Sequence, residues 1–120
     1  MPFLIKRIYE SAEPSDGKRL LVDRLWPRGV SKERAALDGW LKDIAPSPEL
    51  RIWFDHQEDR FVEFRQRYLM ELNHDEDKQV EITRALALGK EGMVTLLYGA
   101  RSPEINHAIV LKEFLDSQGT

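Results

Sequence analysis

Met93-Val-Thr-Leu-Leu-Tyr98, followed by Gly99-Ala-Arg-Ser-Pro-Glu104, decides how this chain is read. The first six residues are a nearly continuous apolar run of strand length, bracketed by Gly92 and Gly99. A strand without polar–apolar alternation is usually covered on both faces, as in α/β sheets. Beyond it, Ser102 is a good N-cap and Pro103 a good first helical residue, so the last helix is expected to start here. Ile105, Ala108, Ile109, Lys112 and Leu115 give that helix a mostly apolar face. Strand, short loop and capped helix make half of a βαβ unit.

Two more strands lie at the other end of the chain. Phe3–Tyr9 and Arg19–Trp26 read as strands, separated by the turn-rich loop Ser11–Gly17. Trp26-Pro-Arg-Gly29 stops the second, because proline cannot donate to a sheet ladder. Four helical segments are expected between these strands and the last one. Ser31 caps a helix carrying Leu37, Trp40, Leu41 and Ile44, an i, i+3, i+4, i+7 stripe. Ser47 with Pro48 starts a short helix through Phe54. A third segment covers about 58–72, and a fourth about 77–88 with Gly89 as its stop. The fold class is therefore α/β: one compact domain over 1–120, with a small, mostly parallel sheet of about three strands and four to five helices around it. The direction of the first two strands stays open, since their loop is shorter than the dozen or more residues of a usual parallel crossover.

Composition removes whole classes of function. The 120 residues are 42% hydrophobic and 32% charged, which excludes disorder. No apolar run approaches the about 20 residues of a membrane span. Met1–Arg7 is too short and too soon charged for a signal peptide, and a cytoplasmic protein is expected. There is no cysteine, hence no disulfide, thiolate metal site or thiol nucleophile. The net charge is −3, and the basic excess is confined to the first third, so nucleic acid is an improbable partner. Neither a Gly-x-Gly-x-x-Gly nor a Walker loop is present, and no nucleophile elbow. No two of the three histidines have ligand spacing. Neither a metal nor a cofactor is expected.

What chemistry there is should gather at two strand ends. One is Asp23-Arg24-Leu25-Trp26-Pro27-Arg28-Gly29; the other is Tyr98-Gly99-Ala100-Arg101-Ser102, running into Asn106 and His107. Ligands of α/β sheets sit beyond the carboxyl ends of the strands. If the two strands are parallel neighbours, Arg24, Arg28 and Arg101 share one crevice with the free N–H groups after Ser102, which is an anion site. Tyr98 and Asn106 would orient the ligand. His107 is the candidate for proton transfer. The plain alternative is that each arginine has a structural partner and that His107 merely packs. His56, at a helix end, suits capping of carbonyls, and His74 suits solvent.

Four stretches carry a family resemblance: Ser15-Asp-Gly17, Arg19-Leu-Leu-Val-Asp-Arg-Leu-Trp-Pro-Arg-Gly29, Ala45-Pro-Ser-Pro-Glu-Leu-Arg51, and Leu96-Leu-Tyr-Gly-Ala-Arg101 with Asn106-His-Ala108. Nearly the whole chain resembles the YeaO-like proteins of the family called domain of unknown function 488. The family name assigns no reaction. The resemblance implies a compact bacterial-type α/β domain. Longer relatives look like cysteine-bearing versions of the last strand and helix, with cysteines where this chain has Tyr98 and Asn106. Any thiol chemistry of theirs is excluded here, and His107 is what remains in register.

These readings converge on an arginine-lined pocket for a small anionic molecule, a phosphate or carboxylate compound. Enzymatic use of His107 as acid/base is one option. The alternative is a non-catalytic binding or regulatory module acting on a protein partner or, less readily, on nucleic acid. A protein-docking role calls for an exposed apolar patch, with Trp53 and Phe54 as its candidates.

Overall fold

The computed structural model describes residues 3–118. Four strands form one sheet: β1 (Phe3–Arg7), β2 (Lys18–Leu21), β3 (Gly39–Trp40) and β4 (Val94–Tyr98). Their order is β1-β4-β2-β3 and every pairing is parallel. The first two strands are therefore parallel, but they never meet: β4 lies between them and pairs with both. Their connection, with a 3-10 turn at Pro14–Asp16, reaches across that central strand. The five α-helices are α1 (Lys32–Ala35), α2 (Pro48–Phe54), α3 (Phe61–His74), α4 (Glu76–Glu91) and α5 (His107–Gln118).

All five residues of β4 are buried, as its unbroken apolar run requires. Its alternate side chains serve two cores. Val94, Leu96 and Tyr98 join Phe3, Leu20 and Val22 in the larger core, which takes in residues of α3, α4 and α5. Leu97 joins Ile8, Leu21, Val30 and Ala35 in a smaller core, with Trp26 and Trp40 packed against it edge to face at 5.4 Å.

Next to the smaller core lies a buried ionic cluster. The Asp16 carboxylate meets Lys6 Nζ at 3.0 Å and an Arg19 guanidinium nitrogen at 2.5 Å. It also accepts the N–H of Glu13 at 3.0 Å. Arg19 donates twice more to the carbonyl of Ala35, and the Thr95 hydroxyl of β4 donates to the Asp16 carbonyl at 2.7 Å. The loop between β1 and β2 is thus tied to both strands and to the one between them. Burial pushes the Asp16 carboxyl up, but the Glu13 N–H, Lys6 and Arg19 reverse this and hold it below the usual carboxylate range.

Several expected elements differ. The helix predicted through Leu37–Ile44 ends at Ala35, with Ala36 left-handed at φ 48°. The chain then forms β3 and a 3-10 turn at Lys42–Ile44. Gly39 admits the close approach to β2: a Cβ there would stand 3.1 Å from the Leu20 side chain. The Asp38 carboxylate caps the Arg19 N–H at 2.8 Å and fixes the register. Residues 22–26 leave the sheet after one further ladder bond, from Val22 to the Leu97 carbonyl. Gly89 does not stop α4, which runs on to Glu91. The helix Pro48–Phe54 with its Ser47 cap stands where the sequence put it.

Candidate functional site

Because all four strands run the same way, their carboxyl ends open on one edge. A cavity of about 290 Å³ lies there. Each strand exit supplies part of its wall: Tyr9 after β1, Asp23 to Pro27 after β2, Ala45 and Pro46 beyond β3, Gly99 and Ala100 after β4. Helix α2 adds Arg51 and Phe54, with His56 just past its end, and the start of α5 adds Asn106 and His107. This is the position at which α/β sheets bind ligands.

Asp23 is the most constrained group of the site. Its carbonyl accepts the Trp40 indole N–H at 2.7 Å, and Oδ2 accepts the Gly99 N–H at 2.9 Å. Oδ1 is buried and has no hydrogen-bond partner. The His107 ring lies beside it, with Nε2 3.4 Å away. That nitrogen lies 2.9 Å from the Val22 carbonyl. A carbonyl oxygen only accepts, so Nε2 carries the proton and the tautomer is set. Burial raises the Asp23 carboxyl above its ordinary range; His107, the Gly99 N–H and His56 oppose this without cancelling it. Behind His107, the Tyr68 ring stands edge-on at 6.1 Å, and its hydroxyl donates to the Ile44 carbonyl at 2.6 Å.

The cationic side of the cavity is loosely held. Arg24 reaches the carbonyls of Ala45 and Pro46 at 3.4 and 3.5 Å and the Asp43 carboxylate at 3.8 Å, all long contacts. Its Nε is buried without a partner. Arg51 is exposed on α2. Asp55 and His56 follow with φ of 46° and 55°, two consecutive left-handed residues, both of non-glycine types that tolerate that conformation better than most. This turn ends α2 and brings His56 to the cavity.

Of the expected site residues, Arg24, Asn106 and His107 line the cavity. Three guanidinium groups do not gather there: Arg28 and Arg101 are exposed and outside the lining. The physical reason is the turn after Trp26. Its indole donates to the Val30 carbonyl at 2.7 Å, which folds residues 26–30 back on themselves and leaves Arg28 at the tip. Tyr98 is buried in the larger core and outside the lining. Ser102 caps a turn, accepting from the N–H groups of Glu104 and Ile105, and not the helix itself. Helix α5 starts at His107, and Asn106 is its cap, accepting the Ile109 N–H at 2.9 Å. Trp53 and Phe54 form no exposed patch. Phe54 is buried, and the Trp53 ring is covered by Arg67 at 4.5 Å and Arg60 at 5.6 Å.

Sequence reasoning assigned no role to Arg51, and it placed Asp23 in a candidate strand end without a part in the site. Both lie inside the quoted family blocks, and that was the available signal. Among the described residues no group of three or more His, Cys, Asp or Glu side chains is placed to hold a metal ion.

A family model described as the inactive DUF488-N3 subclade matches residues 2–119. The chain belongs to the DUF488 family. The DUF488 relatives it matches include Uncharacterized protein YeaO of Escherichia coli strain K12, 47% identical over 112 residues, which are 93% of this chain and 95% of that protein. Uncharacterized protein Rv3073c of Mycobacterium tuberculosis strain H37Rv is 41% identical over 114 residues, 95% of this chain and 93% of that one. Uncharacterized protein Mb3100c of Mycobacterium bovis matches to the same extent. No solved structure matches the chain.

Proposed function

We propose that the cavity at the carboxyl edge of the sheet binds a small anionic molecule, a phosphate or carboxylate compound, without turning it over. The observation that carries this reading is the company the cavity keeps. Arg24 and Arg51 share its wall with His56 and His107, against one carboxylate, Asp23. Guanidinium groups with loose or no internal bonds are free to fork onto an anion. Phe54, Phe64 and Trp26 supply an apolar surface for the rest of the molecule.

Three points favour binding over catalysis. The subclade that matches the chain is described as inactive. His107 Nε2 donates to the Val22 carbonyl and not to Asp23, so no carboxylate–histidine hydrogen bond supports the ring as a base. The Asn106 amide is engaged at both ends, donating to the Ser102 carbonyl and accepting from Ile109. An enzymatic use of His107 remains the second reading, and it separates cleanly: His107→Ala would then abolish turnover while leaving affinity nearly intact.

A thermal-shift screen against phosphate, nucleotides, sugar phosphates and organic acids tests the proposal. A ligand at about a hundred times its Kd adds roughly 2.7 kcal/mol, several degrees in a chain of this size. Arg51→Glu should remove that shift and leave the free protein's Tm unchanged, because Arg51 is exposed. No response to any anion overturns the reading.

A further inference from the structure

Two groups of arginines stand at this edge of the sheet, and the anion site above uses only one. The other surrounds Tyr9 and Ala100, the part of the cavity wall that follows β1 and β4. The Arg7 guanidinium lies over the Tyr9 ring, 4.9 Å from its centroid, and its Nε donates to the Ala100 carbonyl at 2.8 Å. Arg34 donates to the Tyr9 carbonyl at 2.7 Å. The Tyr9 hydroxyl donates to the Arg28 carbonyl at 3.0 Å, which fastens the tip of the turn after Trp26 to the same place. Arg101 follows Ala100 directly. Arg28, Arg34 and Arg101 are exposed.

Five other arginines of the chain sit in ion pairs: Arg19, Arg24, Arg65, Arg67 and Arg84. Among the described residues, none of the four around Tyr9 and Ala100 has one. Glu10 is the carboxylate at this shoulder, and it accepts the Arg7 main-chain N–H at 3.2 Å, not a guanidinium. Like charges gathered without a counter-charge repel one another, in a chain whose net charge is −3. An anion seated among them removes that cost, and their forks are free to hold it.

We infer that this shoulder receives a second anionic group of the bound molecule, so that the ligand is a compound acidic at both ends with an apolar body between them. This rests on the anion-binding reading above and extends it. Arg24 and Arg51 take one end. Arg7 and Arg34 take the other, with Arg28 and Arg101 adding to the field. Tyr9 and Ala100 belong both to the cavity wall and to the arginine shoulder, so the two charge sites are continuous. The exits of β1 and β2 are separated by β4, two strand intervals or roughly 10 Å. One or two linked rings, or a short alkyl chain, cover that distance.

The test pairs each diacid with its monoacid: terephthalate with benzoate, the para-linked biphenyl dicarboxylate with the biphenyl monocarboxylate, and suberate with octanoate. Affinities are measured by calorimetry on the full chain at one low ionic strength, with inorganic phosphate as a further probe. In at least one pair the diacid should bind roughly tenfold or more tighter. Arg34→Glu should bring that ratio close to one while the monoacid still binds. Arg28→Glu, whose native side chain makes no internal bond, should lower the ratio too, and it decides the matter if circular dichroism shows Arg34→Glu unfolded. A ratio near one in the wild type overturns the inference and leaves the anion site standing. A diacid preference that both variants keep also overturns it, because the second acid then sits elsewhere. If neither phosphate nor any of the six acids binds, the anion site falls and this inference with it.

Discussion

Asp23 and Gly99 are fitted to each other across two strand ends: the Gly99 N–H reaches Oδ2 at 2.9 Å, and a Cβ on Gly99 would stand 3.0 Å from the same oxygen. The hydrogen bond and the missing side chain are one arrangement. A residue with any side chain at 99 would push the carboxylate out of the position in which the Gly99 N–H holds it.

Gly99→Ala should therefore destabilise the protein by about 1–3 kcal/mol, the usual cost of overpacking. The loss should be coupled to Asp23. In an Asp23→Ala background the same substitution should cost close to nothing, since the oxygen it strikes is gone. Thermal unfolding of the four proteins gives the coupling. Equal losses in both backgrounds would place the clash elsewhere.

Asp16 sets a pH dependence of known sign. Its carboxyl is held below the usual range in the folded chain, so below about pH 4 the unfolded chain binds more protons. Stability is full above that pH and drains away as pH falls through the folded value. Lys6 is raised, against the pull of burial, by its bonds to Asp16 and Glu13. Its contribution is present below its ordinary value near 10.5 and lost as pH climbs through the higher folded one. Asp16→Ala should cost about 3–5 kcal/mol at neutral pH, by leaving the buried Arg19 without a counter-charge and Lys6 with only the exposed Glu13. It should also flatten the acid limb of a stability–pH curve. An unchanged acid limb would remove Asp16 from that role.

Asp23 has the opposite sign. With its carboxyl raised by burial, the folded chain holds the proton more tightly than the unfolded one, and ionisation at neutral pH works against folding. Asp23→Asn should melt no lower than the wild type at pH 7, with its relative advantage shrinking as acid protonates Asp23 itself. A Tm several degrees lower at pH 7 would show that the carboxylate's bonds outweigh the cost of its burial.

Tyr68→Phe tests the wall behind the site. Its hydroxyl is buried and reaches the Ile44 carbonyl, just ahead of Ala45 and Pro46 in the cavity lining. Removing it orphans that carbonyl, at about 1–3 kcal/mol. Denaturant unfolding should show a lower midpoint with an unchanged slope. A midpoint equal to the wild type's would mean that water replaces the hydroxyl.

The parts of the fold that were legible share one property: their signal was local and unambiguous. The run 94–98 could only be a doubly covered strand, and Ser47-Pro48 could only open a helix. The stripe at Leu37, Trp40, Leu41 and Ile44 misled because a two-residue strand followed by a 3-10 turn buries the same positions as an amphipathic helix. What separates the two is Gly39 against Leu20 and Asp38 against Arg19, contacts made by residues far apart in the chain. The edge of the sheet that holds the cavity followed from strand direction. Its membership did not. Whether Arg28 or Arg51 reaches the rim depends on how the turn after Trp26 folds back and on the left-handed pair Asp55-His56, neither of which has a periodicity to read.

The central strand is also the last one made. Residues 3–7 pair with 94–98 alone, and residues 18–21 pair with 94–98 and with the two residues of β3, so the first two strands have no pairing with each other. On a ribosome, the growing polypeptide would carry a solitary first strand, the short β2–β3 pair and most of its helices before the piece that unites them emerges. Folding of this sheet is therefore a late event in synthesis. A premature stop anywhere before residue 94 would yield no smaller native protein, only a chain for proteases to clear.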